Sequence, residues 1–234
     1  MKLISSKLTV SILSLVLSVF SQGLAAQSTC FGTTSNGRIE AAVKLPASGD
    51  NFVSYSYVAA MAGRTYVHSE VKQIMLASYA KLSKQLPDNV YKYAETGLKR
   101  GGRFKPHKTH RNGLSVDFMV PVVDSKGASV HLPTHPLNRF GYDIEFDQAD
   151  QFEGFSIDYT AMAAHIVELH KAAKARGHDV WRVIFDPNLT PKLLQTKYGG
   201  YLKANIQFSK KRSWVRHDEH YHVDFDIACK PLTR

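Results

Sequence analysis

Two short histidine motifs, roughly a hundred residues apart, hold the residues best suited to chemistry. His110-Arg111-Asn112-Gly113-Leu114-Ser115-Val116-Asp117 reads H-x-x-G-x-x-x-D, and His220-Tyr221-His222 reads H-x-H. Together they offer two imidazoles and one carboxylate to a divalent metal, with a further imidazole beside it. On zinc that set leaves a fourth position open, the arrangement of catalytic rather than structural sites. Such an ion acidifies its solvent ligand and polarises a carbonyl, and a nearby imidazole titrates in the range that lets it shuttle the proton. Either motif alone is weak in a chain with 11 histidines. The two in this order are a stronger signal.

Strands must carry these side chains. In residues 221–228, Tyr221, Val223, Phe225 and Ile227 share one face, while His220, His222, Asp224 and Asp226 share the other. In residues 114–120, Leu114, Val116, Phe118 and Val120 oppose Ser115, Asp117 and Met119. If the two strands are neighbours in one sheet, Asp117 and His222 converge. Asn112-Gly113 is a turn signal that lets the chain leave His110, reverse and enter the first strand. A glycine there suits a bend passing close to a metal centre. Asp224, on the same face as His222, is either a partner that supports an imidazole from behind or simply exposed.

Helical spacing predicts helices over residues 69–86, with Ser69 as N-cap, and 159–176, with Asp158 as N-cap and Gly177 as stop. A short helix is expected from Pro191 with Thr190 as cap. Further strands are expected at 39–45 and 180–185, and an extended lead-in at 28–37. The fold class is α+β, with a small, mainly antiparallel sheet flanked by helices.

The first 26 residues read as a secretory signal peptide: Lys2 and Lys7, an apolar run from Leu8 to Phe20, then small residues up to Ala26. The remaining residues, 27–234, suffice for one well-cored domain. Removing the leader takes away two lysines and no acid, so the net charge of +10 falls to about +8. A basic exported protein favours anionic partners: cell-wall polymer, lipid headgroups or nucleic acid. In an oxidising compartment Cys30 and Cys229 are expected to pair, tying together the ends of the mature chain. A zinc thiolate is the weaker alternative, since neither cysteine has a second one at ligand spacing.

Other features have plainer readings. His165 and His170 are five residues apart on a helix, about 140° around its axis, which suits a solvated or partly buried face rather than a zinc motif. The run from Lys99 to Lys105 is either a solvated loop or a clamp for substrate carboxylates. The acidic residues from Asp143 to Glu153 lack calcium-loop spacing. Tyr91, Tyr93, Tyr142 and Trp214 could line a groove, although aromatics are more often core. No stacking pattern of aromatic and basic residues points to nucleic acid.

The motif pair resembles the zinc peptidase superfamily of lysostaphin-type enzymes, D-Ala-D-Ala metallopeptidases and hedgehog domains. His107, His217 and the segment Gly101-Gly102-Arg103 resemble the penicillin-insensitive murein endopeptidases within it. The resemblance covers roughly residues 97–120 and 214–229. It implies a fold like that of the hedgehog and D-Ala-D-Ala peptidase domains. It also implies one zinc ion held by His110, Asp117 and His222, His220 as the catalytic histidine with His217 near it, and His107 and Arg103 at the substrate. The expected activity is hydrolysis of peptide cross-links in bacterial peptidoglycan, in the periplasm, with stem peptides as partner and no stable membrane insertion after leader cleavage. A D,D-carboxypeptidase, an L,D-endopeptidase and a non-catalytic zinc-containing cell-wall-binding domain are the rival readings. Ser115 stands where the best-known members carry an acidic residue.

Overall fold

The computed structural model describes residues 27–213 and 215–233. The expected signal peptide and Trp214 lie outside the described residues. The central sheet has five strands: β1 (Phe52–Ser54), β2 (Tyr91–Tyr93), β3 (Ser115–Met119), β4 (Asp179–Ile184) and β5 (His220–Asp226). Their spatial order is β4-β5-β3-β2-β1. Pairing is antiparallel except between β1 and β2. With two long helices, this is the α+β architecture expected.

The helices are α1 (Ser69–Gln85) and α2 (Tyr159–Ala175). They pack on each other and on one face of the sheet, α1 through Tyr79 stacked on Phe52 and α2 through His165 against Phe118 and Tyr221. Asp158 caps α2 by accepting from the Ala161 amide at 2.9 Å. For α1 the cap is His68 rather than Ser69, its Nδ1 accepting from the Glu70 amide at 3.2 Å. Ser69 instead opens the helix, its own amide donating to Ser28 Oγ at 2.9 Å. The short helix is Thr190–Leu193, with Leu189 at the cap. Thr190 turns its hydroxyl back to the Asp186 carbonyl at 3.0 Å and so does not cap.

The lead-in is a hairpin of Thr29–Gly32 and Gly37–Glu40, not merely extended chain. The strand expected over 39–45 is broken at Ala41, which takes a φ of +51°. Cys30 and Cys229 form a disulfide across a sequence separation of 199.

The apolar face of the sheet meets the helices through large, fully or almost fully buried side chains, among them Tyr221, Phe118, Ile74, Leu82 and Met162. Each such side chain contributes about 1.5–3 kcal/mol relative to exposure. His165 belongs to this core and not to a solvated face. It stacks on Tyr79 at 5.0 Å between centroids and meets Phe118 edge-on at 4.8 Å. Asp226 is exposed, but the polar face of β3, and of β5 as far as Asp224, is buried as well. Loops from residues 95–110 and 136–142 fold over it, and the space they leave is the cleft described next.

Candidate metal centre and catalytic cleft

Register decides the site. In the β3–β5 pairing, His222 lies directly opposite Asp117, and Asp224 lies opposite Ser115. His222 Nδ1 is 2.8 Å from Asp117 Oδ1, and His110 Nε2 is 3.2 Å from the same oxygen. His110 arrives from the loop before β3 with a φ of +65°, its amide 3.4 Å from Ser115 Oγ. Gly113 makes the turn, but a metal is not what requires it. A Cβ there would meet Ile39 Cδ1 at 2.5 Å and the His68 amide nitrogen at 2.9 Å. The glycine lets the turn press against the backbone before α1, where the His68 amide donates to its carbonyl at 2.9 Å.

The donor set fits a divalent ion. His110 Nδ1 donates to the Thr96 carbonyl at 3.0 Å, which places the ring proton there and turns the Nε2 lone pair toward Asp117. That buried Nε2 has no hydrogen-bond partner. His222 is backed in the same way, with Nε2 2.8 Å from Asp224 Oδ1. Asp224 is in turn held by Ser115 Oγ at 2.6 Å and by Arg182 Nε at 2.7 Å. An imidazole backed by a carboxylate that is itself hydrogen-bonded is the usual support of a metal ligand. Tetrahedral zinc with bonds of about 2.0–2.1 Å sets neighbouring ligand atoms about 3.3 Å apart, close to the separations around Asp117 Oδ1.

His107 also approaches. His107, His110 and Asp117 have ligand atoms within 4.8 Å of one another. His107 Nε2 is hydrogen-bonded to Glu95, and its Nδ1 lies 3.7 Å from Asp117 Oδ2. That oxygen already accepts from Tyr142 Oη at 2.9 Å. His107 and His222 thus each turn Nδ1 toward Asp117, His107 at 3.7 Å from Oδ2 and His222 at 2.8 Å from Oδ1.

Beside these groups, His220 Nδ1 is 2.7 Å from Glu219 Oε1, while Nε2 stands 4.0 Å from Asp117 Oδ2. Burial pushes the His220 pKa down, but the Glu219 and Asp117 carboxylates prevail and raise it. His217 lies beside it, ring centroids 4.5 Å apart and planes tilted by 39°. Its Nδ1 donates to the Val215 carbonyl at 3.0 Å, and burial with His220 pushes its pKa down to about 3. A neutral His217 with its proton on Nδ1 presents a lone pair at Nε2 and therefore accepts. Burial drives the Asp117 pKa up, but the surrounding imidazoles hold it well below the ordinary range.

His107, Asp117, His217, His220 and His222 all line one cleft of about 500 Å³, with His110 buried beneath it. Arg103 is exposed and is not among the cleft-lining residues. Of the aromatics weighed above, Tyr142 lines the cleft, whereas Tyr91 and Tyr93 are core.

Sequence reasoning passed over Glu95, Glu219, Arg64, Arg139 and Arg182. Glu95 sits just past β2 and gathers His107, Arg64 and the Tyr55 hydroxyl, the last at 2.9 Å. Burial opposes its ionisation, yet His107 and Arg64 hold its pKa down to about 2. Arg182 did carry a signal: it lies on β4 opposite Asp224, a pairing readable once β4 and β5 are set side by side.

The two adjacent strands β3 and β5 of this α+β domain thus aim imidazoles and a carboxylate into one cleft. The penicillin-insensitive murein endopeptidase family matches residues 30–232, and the chain belongs to that family. The comparison with curated proteins returned no match. Membership places the chain among hydrolases of peptidoglycan. Among the described residues, no helix is long and apolar enough to cross a membrane.

Proposed function

We propose that this protein is a zinc-dependent endopeptidase that hydrolyses peptide cross-links of peptidoglycan in the periplasm. Residues 1–26 act as its signal peptide and residues 27–234 as its zinc peptidase domain. The observation that carries the reading is the facing of Asp117 and His222 across adjacent strands, with the unpartnered Nε2 of His110 turned to the same carboxylate oxygen.

His110, Asp117 and His222 would hold the ion. A divalent ion in that position supplies a Lewis acid that polarises a carbonyl and acidifies solvent. The rest falls to the chain. His220 takes a proton at Nε2 from the attacking water and returns it to the leaving amine. Glu219 fixes the His220 ring through Nδ1 and stabilises the imidazolium formed midway. His217 orients the water or a substrate N–H through its Nε2 lone pair, a role that suits a neutral acceptor better than an oxyanion donor. Glu95 anchors His107 and Arg64 along the opposite wall. No serine acts as nucleophile in this scheme, so β-lactams are not expected to acylate the enzyme.

The test is digestion of purified cross-linked muropeptides with and without chelator, followed by mass analysis. Loss of dimers with a matching gain of monomers, abolished by chelator and restored by zinc, is the expected result. Release of free alanine alone would make it a carboxypeptidase. Binding of muropeptides with no cleavage under any metal condition would make it a cell-wall-binding domain.

A further inference from the structure

The cleft holds more positive charge than the chemistry above uses. Arg64, Lys108, Arg139 and Arg182 all line it. Two of them are committed. Arg64 pairs with Glu95 and donates to the Lys105 carbonyl at 3.0 Å. Arg182 pairs with Asp224, which has no solvent exposure, at 2.7 Å. Each of these guanidiniums is neutralised by a buried carboxylate.

Arg139 is different. Its side chain is 67% exposed, and its ion pair with Asp143, at 3.3 Å, is to a side chain itself 46% exposed. An exposed pair of that kind holds weakly and yields readily to a better partner. Lys108 is exposed and makes no ion pair among the described residues. The two cations sit on adjoining loops. His107, the neighbour of Lys108, meets the ring of Tyr142 edge-on at 5.6 Å, in the loop that carries Arg139.

That loop is held in an unusual shape. Arg139 and Phe140 have φ of +49° and +59°, the left-handed region that side chains other than glycine rarely adopt. Asn138 braces it. Its Oδ1 accepts from the amides of His135 and Gly141, both at 2.9 Å, and its Nδ2 donates to the Pro133 carbonyl at 2.9 Å. Phe140 packs edge-on against Tyr55 with centroids 6.0 Å apart. The strained turn carries a guanidinium into the lining of the cleft without tying it to a buried acid. A planar fork of donors of this kind matches a carboxylate with two parallel hydrogen bonds.

We propose that Arg139, with Lys108 on the adjoining loop, forms a subsite that receives a free carboxylate of the peptide substrate. The assignment rests on the endopeptidase reading and gives these two residues the clamp role expected of Arg103. It makes the enzyme selective for cross-links whose flanking carboxylates are unblocked.

The test compares two cross-linked muropeptide dimers, one with its free carboxylates intact and one with them converted to amides. Wild type, Arg139→Ala, Arg139→Lys and Lys108→Ala are assayed on both, with thermal unfolding to verify the fold of each variant. On the carboxylate dimer, Arg139→Ala raises KM about 10- to 100-fold, the range for a lost hydrogen bond to a charged group, with kcat little changed. Arg139→Lys recovers part of the loss, and Lys108→Ala shows a smaller one. On the amidated dimer the wild type is already weakened by a similar factor, and Arg139→Ala loses nothing further. Equal effects of Arg139→Ala on both dimers, or no effect on either, would overturn the subsite while leaving the endopeptidase intact. Wild type inactive on both dimers would overturn the endopeptidase reading itself, and the subsite with it.

Discussion

The hydroxyl of Tyr142 donates a hydrogen bond to Oδ2 of Asp117 at 2.9 Å, and the Glu95 amide donates to that hydroxyl at 3.4 Å. The ring stands edge-on to His220 with centroids 4.9 Å apart. One side chain therefore fixes the carboxylate and borders the proposed base. Tyr142→Phe keeps the ring and removes the hydroxyl. Zinc affinity, measured by chelator competition, should fall about 10- to 100-fold, as for other groups that orient a ligand. Thermal stability of the metal-free protein should change little. Unchanged zinc affinity would show that Asp117 needs no such support.

Replacing His220 by Ala should lower kcat by about 10²- to 10⁴-fold, the usual worth of a general base. Metal content should stay close to that of wild type. Loss of zinc in this variant would place His220 among the ligands instead.

Glu219 raises the pKa of His220 by its charge and hydrogen bond. A general base works above its pKa, so lowering that pKa widens the active range on the acid side. Glu219→Gln should therefore move the acid limb of kcat/KM to lower pH while reducing the plateau rate, because the imidazolium formed in the reaction loses its counter-charge. A pH–rate profile in which only the plateau falls would contradict the electrostatic role.

Stability should fall on acidification for a reason outside the cleft. Burial pushes the pKa of His165 from an ordinary 6.5 down to about 3. Between those values the unfolded chain binds the proton and the folded chain does not. The contribution is complete above pH 6.5 and is lost progressively as pH falls toward 3, up to about 5 kcal/mol. Denaturant midpoints of the metal-free protein, followed from pH 7 to pH 4, should fall less steeply in His165→Gln than in wild type. Parallel slopes would show that other groups carry the acid sensitivity.

The Cys30–Cys229 bridge closes nearly the whole described chain. Replacing both cysteines with serine should cost about 2–5 kcal/mol of unfolding free energy. Equal denaturant midpoints for the oxidised wild type and the double variant would contradict that.

The sequence was most legible where strand periodicity governs. Alternation in residues 114–120 and 221–228 places Asp117 and His222 on polar faces, and their direct cross-strand pairing requires only that the strands be adjacent. It was least legible where loops close over the sheet. Glu95, Glu219, Tyr142 and Arg139 reach the cleft from segments with no repeat, and long-range packing sets their positions. Glu219 shows why. Were the strand continued one residue back, alternation would turn it away from His220, but β5 begins at His220, and Glu219 turns in to the imidazole beside it. The N-terminal hairpin was missed because its turn is closed by hydrogen bonds between Thr33 and Asn36, and the cap of α1 because Ser28 takes the Ser69 amide while His68 accepts from Glu70; neither follows from periodicity. His165 was read as partly solvated because helical spacing does not reveal that this part of α2 is covered by tyrosines and phenylalanine.

The central claim is that His110, Asp117 and His222 hold one ion between them. Metal content per chain, measured by mass spectrometry on protein purified without chelator and then equilibrated with zinc, tests it most directly. One zinc per chain in wild type, and far less than one in both Asp117→Asn and His222→Ala, is the predicted result. Wild type that retains no metal, or variants that retain a full equivalent, would contradict it.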